Sequence, residues 1–106
     1  MTTKDKILIN RLKKNLTDNY GEIISDIIIY GSRITKGKRD SDFDLIIITS
    51  KEIDWKRKKE IKNEIYEIGI DNDVVFDPKV FSSYELNHKY KFHPFFMSVE
   101  KTGVYL

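Results

Sequence analysis

Residues 26–49 read DIIIYGSRITKGKRDSDFDLIIIT, and this stretch decides how the rest of the chain is interpreted. Two apolar runs, residues 27–30 and 45–48, flank a polar and charged segment. Short isoleucine-rich runs bounded by Gly, Ser and Asp are typical of buried β-strands. We therefore expect two strands joined by a charged loop, with the chemically active side chains at the ends of that loop.

The loop ends in a pair of acidic residues, Asp42 and Asp44. Residues two apart on a strand point to the same face, so the two carboxylates are expected to lie side by side. Two neighbouring anions repel each other unless a cation lies between them, and Mg²⁺ with oxygen ligands is a common solution. The purely structural alternative is an Asx turn, or a charge that protects a strand edge from pairing.

The loop begins with Gly31 and Ser32, which suit a phosphate group. A glycine at a strand end lets the backbone turn sharply and brings N–H groups close to a ligand, and a serine hydroxyl can donate to a phosphate oxygen. Arg33 and Lys36 are candidate helpers, whereas Lys38 and Arg39 are at least as well explained by solubility. Phosphate donors on one side and a carboxylate pair on the other favour a nucleoside triphosphate site.

The quoted residues resemble a known family. Gly31 and Ser32, followed by SDFDL at 41–45 and the isoleucine run, resemble the signature of the DNA polymerase beta-like nucleotidyltransferase superfamily. The small size resembles its minimal nucleotidyltransferase branch, although the loop is slightly shorter than the commonest family spacing. The resemblance implies an α/β (α+β) fold, with a small mixed β-sheet flanked by helices.

The resemblance also implies a third carboxylate, placed at the start of a later strand in a pattern like D-V-V. Asp73 with the following valines matches that pattern, and Asp71 is the alternative because the strand register is open. Asp77 precedes Pro78 and is interpreted as a turn residue that ends the strand. The implied site uses two Mg²⁺ ions held by Asp42, Asp44 and Asp73, with nucleotide-binding residues Gly31, Ser32, Arg33 and Lys36.

The activity that the resemblance implies is transfer of a nucleoside monophosphate from a nucleoside triphosphate, most readily ATP, to a hydroxyl acceptor. The acceptor would be supplied by a partner protein or a homo-oligomer. The alternative is an antitoxin, a binding partner of a HEPN-type toxin with little catalysis of its own. A third class is a ligand-binding or structural module in which the acids are incidental, and this class predicts that Asp73 lies far from Asp42 and Asp44.

Length and composition limit these possibilities. A chain of 106 residues with no Pro/Gly/Ser-rich linker is expected to form one domain over residues 1–106. Because there are no cysteines, disulfides and thiolate metal sites are excluded. The net charge of +2 is too small to indicate nucleic-acid binding. No apolar run is long enough for a membrane span, and the sequence start has no signal pattern, so we expect a cytoplasmic protein.

The remaining sequence is predicted to alternate between helices and strands. The expected elements are a helix over 3–18 capped by Thr3, a strand over 24–30, a helix over 50–67 that Gly69 ends, a third strand over 70–76, a short helix within 78–90, a helix from His93, and an edge strand or tail over 104–106. His88 and His93 have no partner His or Cys nearby, so core or surface positions are favoured over metal ligation.

Overall fold

The chain folds around one four-stranded sheet in the computed structural model, which describes residues 2–31 and 42–106. The described elements, in chain order, are α1 (Thr3–Tyr20), β1 (Ile24–Tyr30), β2 (Phe43–Thr49), α2 (Trp55–Asp71), β3 (Phe76–Ser82), α3 (Ser83–His88), α4 (Pro94–Thr102) and β4 (Val104–Tyr105). The strand order is β3-β2-β1-β4. β2 pairs antiparallel with β1 and parallel with β3, and β4 pairs antiparallel with β1. This mixed sheet confirms the predicted fold class.

The isoleucine runs are continuous because both faces of the sheet are covered. On one face Ile27, Ile29, Leu45 and Ile47 pack with α1 and α2 in a single buried cluster. On the other face the alternate residues of the same strands form a second cluster with Val99 of α4. A strand with one wet face shows alternating polar and apolar residues, so continuous apolar runs are expected of a sheet between two helical layers.

Helix α1 is amphipathic, as the leucine spacing predicts. Its buried apolar residues are Leu8, Ile9, Leu12 and Leu16. The capping residue is Thr2 rather than Thr3: the Thr2 hydroxyl accepts from the Asp5 N–H at 3.1 Å, and the Asp5 carboxylate accepts from the Thr2 N–H at 3.2 Å. This reciprocal arrangement satisfies two amide donors that a helix start leaves free.

The predicted third strand over 70–76 is wrong, because α2 continues to Asp71. Gly69 is buried in the last turn instead of ending the helix. A Cβ at this position would lie 2.5 Å from the Val74 carbonyl oxygen, so only glycine lets the helix end pack against the following chain. The Asn72 and Val74 N–H groups both donate to the Gly69 carbonyl, and Asp73 takes a positive φ of 54° between them. Aspartate tolerates this left-handed conformation better than most residues.

Strand β3 therefore begins at Phe76, and Asp77 lies inside it. The interpretation of Asp77 as a strand-ending turn residue is wrong. Pro78 is tolerated because β3 is an edge of the described sheet and pairs only with β2, so the missing N–H costs no ladder hydrogen bond on the other side.

The C-terminal part matches the expected element types. The short helix expected within 78–90 is α3, and His93 caps α4, where its Nδ1 accepts from the Phe95 N–H at 3.2 Å. His88 and His93 are both exposed, which agrees with a surface role. Residues 104–105 form the edge strand β4. None of the helices in the described ranges is long and apolar enough to cross a membrane.

Candidate active site at the ends of three strands

Three polar side chains form a row across the sheet. Asp44 of β2 is in register with Tyr30 of β1 on one side and with Asp77 of β3 on the other. Residues in register on neighbouring strands share a face of the sheet, and alternation along β2 places Asp44 on the face of Ile46 and Ile48, which is covered by α4. The parallel pairing of β2 with β3 therefore places Asp44 beside Asp77, although the two residues are distant in sequence.

Gly31 brings its backbone directly under the Asp44 carboxylate. It follows β1 with a φ of +93°, a conformation that side chains other than glycine rarely adopt. A Cβ at position 31 would overlap Oδ2 of Asp44. Glycine is therefore required here for two reasons, the backbone conformation and the close approach of the carboxylate.

The environment of Asp44 disfavours its charged form. Burial raises the pKa of the Asp44 carboxyl, the negative charges of Asp77 and Asp42 raise it further, and the Lys79 ammonium partly opposes them. Asp42 is exposed just before β2, so its charge reaches Asp44 from the loop end. Three carboxylates thus interact electrostatically at the edge where the strands end.

Lys79 contacts two members of this row, Tyr30 and Asp77. The Lys79 ammonium donates to the Tyr30 hydroxyl at 3.1 Å and lies 3.6 Å from Oδ2 of Asp77. Burial raises the pKa of Tyr30, whose ring lies edge-on to Phe95 at 5.4 Å. Burial alone lowers the pKa of Lys79, but the Tyr30 hydrogen bond and the Asp77 charge outweigh it, and the pKa stands above its ordinary value. The lysine is therefore charged at neutral pH.

Comparison with protein families identifies the family of this chain. The model of the family described as "Polymerase beta, Nucleotidyltransferase" matches residues 10–90, which contain every residue of the row. The chain belongs to this family. The resemblance on the glycine and the two spaced aspartates is thereby confirmed, and the chain is a nucleotidyltransferase by family. No curated protein matches the sequence.

Solved structures show the same fold. A mutant of the toxin–antitoxin MntA-HpeT is 19% identical, with a TM-score of 0.58 over 92% of this chain and 69% of the other. A second mutant of that complex is 16% identical, with a TM-score of 0.57 over 91% and 69%. A toxin–antitoxin with AMP-PNP is 17% identical, with a TM-score of 0.56 over 98% and 72%. At these identities the likeness concerns the fold alone.

The nucleotidyltransferase sheet brings some of the sequence-predicted site residues together and separates others. Gly31 contacts the Asp44 carboxylate, and the charge of Asp42 acts on Asp44. Asp73 instead lines a groove with the first turns of α1, including Thr3 and Leu8, on the face that α1 covers. Asp71 is the exposed last residue of α2. The nucleotide-binding predictions Ser32, Arg33 and Lys36 lie outside the described residues.

Sequence reasoning missed Asp77, and with it Tyr30 and Lys79. The missed signal is a period of two: Phe76, Pro78 and Val80 are buried, whereas Asp77 is exposed and Lys79 is half-buried. This pattern is typical of a strand, but Pro78 argues for a turn when the position of the strand in the sheet is unknown. The edge position of β3 resolves the conflict.

The donor set suits a divalent cation. Across residues 2–31 and 42–106, no three acidic or histidine side chains are close enough together to form a complete metal cage. Mg²⁺ does not need one, because it commonly takes one or two protein carboxylates together with waters and substrate phosphates. Asp44 faces Asp77 in register, and the negative charges of Asp77 and Asp42 destabilise its ionised form. Burial is the main cause of the raised pKa of Asp44, and a cation at this position would relieve the repulsion from Asp77 and Asp42 that adds to it.

Proposed function

We propose that this nucleotidyltransferase transfers a nucleoside monophosphate from a nucleoside triphosphate to a hydroxyl acceptor, with Mg²⁺ as cofactor and ATP as the most suitable donor. The observation that carries the proposal is the position of Asp44, which packs over the Gly31 backbone and faces Asp77 in register. Family membership supports the reaction class. The AMP-PNP in a structure of the same fold supports an adenine nucleotide.

Asp77 is the third carboxylate in this proposal, in place of Asp73. It is in register with Asp44 and acts on the charge of Asp44. Its side chain is 52% exposed, so a substrate can reach it. Asp73 lies in the turn before β3 and lines the groove on the α1 side. The alternative of a ligand-binding or structural module predicts that Asp73 lies apart from Asp42 and Asp44, and Asp73 does line the groove on the α1 side. We retain the enzyme because Asp77, which faces Asp44 in register, offers a third carboxylate in its place.

Each group of site residues has its own proposed role. Asp42, Asp44 and Asp77 would hold the cation, two ions when the triphosphate brings one with it, and a bound Mg²⁺ would neutralise charge on the phosphate oxygens. Gly31 lets phosphate approach the backbone at the end of β1. Ser32, Arg33 and Lys36 remain predicted phosphate-binding residues.

The transfer step needs a proton acceptor but no protein nucleophile. The acceptor oxygen forms a bond to the α-phosphorus while the bond from that phosphorus to pyrophosphate breaks. The acceptor hydroxyl gives its proton to a carboxylate, and the exposed Asp77 is the group suited to this role. The products are the nucleotidylated acceptor and pyrophosphate.

The test is isothermal titration of ATP, with and without MgCl₂, into the wild type and the variants Asp44→Asn, Asp77→Asn and Asp73→Asn. We expect Mg²⁺-dependent binding that weakens by about tenfold or more in the first two variants, because a carboxylate ligand is lost. Asp73→Asn is a matched control, since asparagine makes the same change of charge and tolerates the positive φ. It should bind as the wild type does.

Two results would contradict the proposal. If the folded wild type binds no triphosphate in the presence of Mg²⁺, the chain is not a nucleotidyltransferase on its own. If Asp73→Asn loses binding while Asp77→Asn keeps it, the sequence-based assignment of Asp73 is correct and the register argument fails.

A second candidate function is binding to a toxin. The solved structures compared above are of toxin–antitoxins, which favours a protein partner, a HEPN-type toxin in the sequence-based prediction. That partner, or a second copy of the chain, would then supply the acceptor hydroxyl. The same variants separate the two functions. If Asp44→Asn still inhibits the toxin, inhibition depends on binding. If Asp44→Asn no longer inhibits it, inhibition depends on nucleotidyl transfer.

A further inference from the structure

Lys79 holds its ammonium group over the carboxylate row by four contacts. The nitrogen donates to the Tyr30 hydroxyl at 3.1 Å and pairs with Asp77 at 3.6 Å. It also lies 5.9 Å from the ring centres of both Tyr30 and Phe95. The aromatic rings belong to the second core cluster. The ammonium is therefore positioned by packed groups rather than moving freely in solvent.

The charge of Lys79 lies beside one of the carboxylates proposed to hold a divalent cation, 3.6 Å from Oδ2 of Asp77. Its positive charge stabilises the ionised form of Asp44, against the burial and the acidic neighbours that destabilise it. A cation bound between Asp44 and Asp77 would share Asp77 with the ammonium and would be repelled by it. Because the Lys79 side chain is 41% exposed, solvent reduces this repulsion without removing it.

We propose that Lys79 is a built-in counter-ion, a positioning residue that holds Asp77 in the cation-free protein and competes with the divalent cation for it. The inference rests on the proposed function, since it concerns the same carboxylates. The Tyr30 hydroxyl gives the ammonium a second partner, so Lys79 can yield Asp77 to a cation and stay hydrogen-bonded. Lys79 thus sets how much Mg²⁺ is needed to occupy the site.

The experiment compares Lys79→Met, Lys79→Arg and Lys56→Met with the wild type, using MgCl₂ alone as the probe in calorimetric titrations without nucleotide. Methionine keeps the length of the side chain and removes the charge, whereas arginine keeps the charge. Lys56 is a matched control because its ammonium also lies over an aromatic ring, that of Trp55 at 5.7 Å, on the exposed start of α2.

We expect Lys79→Met to bind Mg²⁺ about tenfold more tightly than the wild type, which is the order expected when one unit charge near a divalent ion is removed. The melting temperature of Lys79→Met in EDTA should fall at the same time, because the acids lose their counter-ion. A purely structural role would weaken Mg²⁺ binding together with stability. Lys79→Arg and Lys56→Met should leave the Mg²⁺ affinity unchanged.

Unchanged or weaker Mg²⁺ binding by Lys79→Met would overturn the inference and leave the proposed function in place, provided that the wild type binds Mg²⁺ and Asp44→Asn does not. Equal tightening by Lys56→Met would also overturn it, because the effect would then reflect net charge. If the wild type binds no Mg²⁺ in either the presence or the absence of ATP, the proposed metal site fails and the inference fails with it.

Discussion

At the scale of single residues, Asp44 is the most constrained side chain of the site. It packs against the Gly31 backbone, faces Asp77 and feels the charge of Asp42. Burial and the charges of Asp77 and Asp42 make its ionised form costly when no cation is present, and Lys79 only partly offsets them. Such a cost is typical of residues placed for a ligand rather than for stability, because binding of the ligand removes it.

The raised pKa of Asp44 predicts how stability depends on pH without divalent cations. The folded-state pKa of Asp44 is raised above the ordinary value of 3.8. Protonated Asp44 therefore stabilises the folded protein below pH 3.8, and this contribution is lost as pH rises through the folded-state pKa. Asp44→Asn cannot ionise and should escape this loss. In EDTA, its melting temperature relative to the wild type should therefore increase as pH rises from the ordinary pKa of 3.8 through the raised folded-state pKa, and then level off.

The control for this prediction is Asp73→Asn, which makes the same chemical change on the α1 side of the sheet, away from Asp44. Thermal unfolding followed by circular dichroism at several pH values gives the measurement. A stability difference between Asp44→Asn and the wild type that shrinks as pH rises would show that ionised Asp44 is favourable in the folded state.

At the scale of elements, the junction between α2 and β3 sets the register that makes the site. The Phe43 N–H donates to the Val75 carbonyl at 2.9 Å, one residue before β3 begins. The tight turn after Gly69 fixes where that strand starts, so Asp77 rather than a neighbour faces Asp44. A shift of one residue would turn Asp77 to the opposite face of the sheet.

Gly69→Ala should therefore damage both stability and the site. The added methyl would lie 2.5 Å from the Val74 carbonyl oxygen and 3.1 Å from the Phe76 ring. Overpacking of this kind typically costs about 1–3 kcal/mol of unfolding free energy, which exceeds the gain of about 1 kcal/mol in helix propensity. Chemical denaturation measures the first effect, and Mg²⁺-dependent ATP binding measures the second.

Glu67→Ala is the control for this junction, since it changes an exposed position in the same helix turn. Its unfolding free energy should stay within about 0.5 kcal/mol of the wild type. If Gly69→Ala proves as stable as Glu67→Ala, the close approach of the helix to Val74 is not a constraint on the fold.

At the scale of the whole molecule, the sheet couples two helical layers. β1 and β2 contribute alternate residues to the cluster under α1 and α2 and to the cluster under α4. The carboxylate row lies on the α4 side, but the strands that carry it are supported from the α1 side. The two layers should consequently unfold together.

Leu12→Ala tests this coupling from a position remote from the row. Leu12 is fully buried in the α1 cluster, and truncation of such a leucine costs about 2–5 kcal/mol. Far-UV circular dichroism reports the backbone, and the aromatic residues packed on the α4 side, such as Phe81 and Phe96, contribute to near-UV circular dichroism. Both signals should shift to the same lower denaturant midpoint. The exposed Ile7→Ala on the same helix serves as control.

A near-UV transition that Leu12→Ala leaves at the wild-type midpoint would contradict the coupling. In that case the aromatic layer around Phe81 and Phe96 would be stable without the α1 layer, and the carboxylate row would depend on one face of the sheet only.

The sequence by itself determined the local features of this protein. Two isoleucine runs specify buried strands, the leucine spacing specifies α1, and Gly31, Asp42 and Asp44 carry the resemblance to the family that the chain belongs to. These features depend on neighbours within a few residues, where periodicity and turn chemistry are informative.

Only the tertiary structure decided where α2 ends and where β3 begins. Whether Gly69 ends a helix, and whether Pro78 ends a strand, depends on contacts with Val74 and on the edge position of β3. The edge position of β3 depends on pairing between segments that are distant in the chain, and a local pattern carries no record of it. Gly69 and Val74 are close in sequence, but the start of β3 after them is set by that pairing. The proposed choice of Asp77 over Asp73 rests on strand register, because side chains that face each other across a sheet need not be close in sequence.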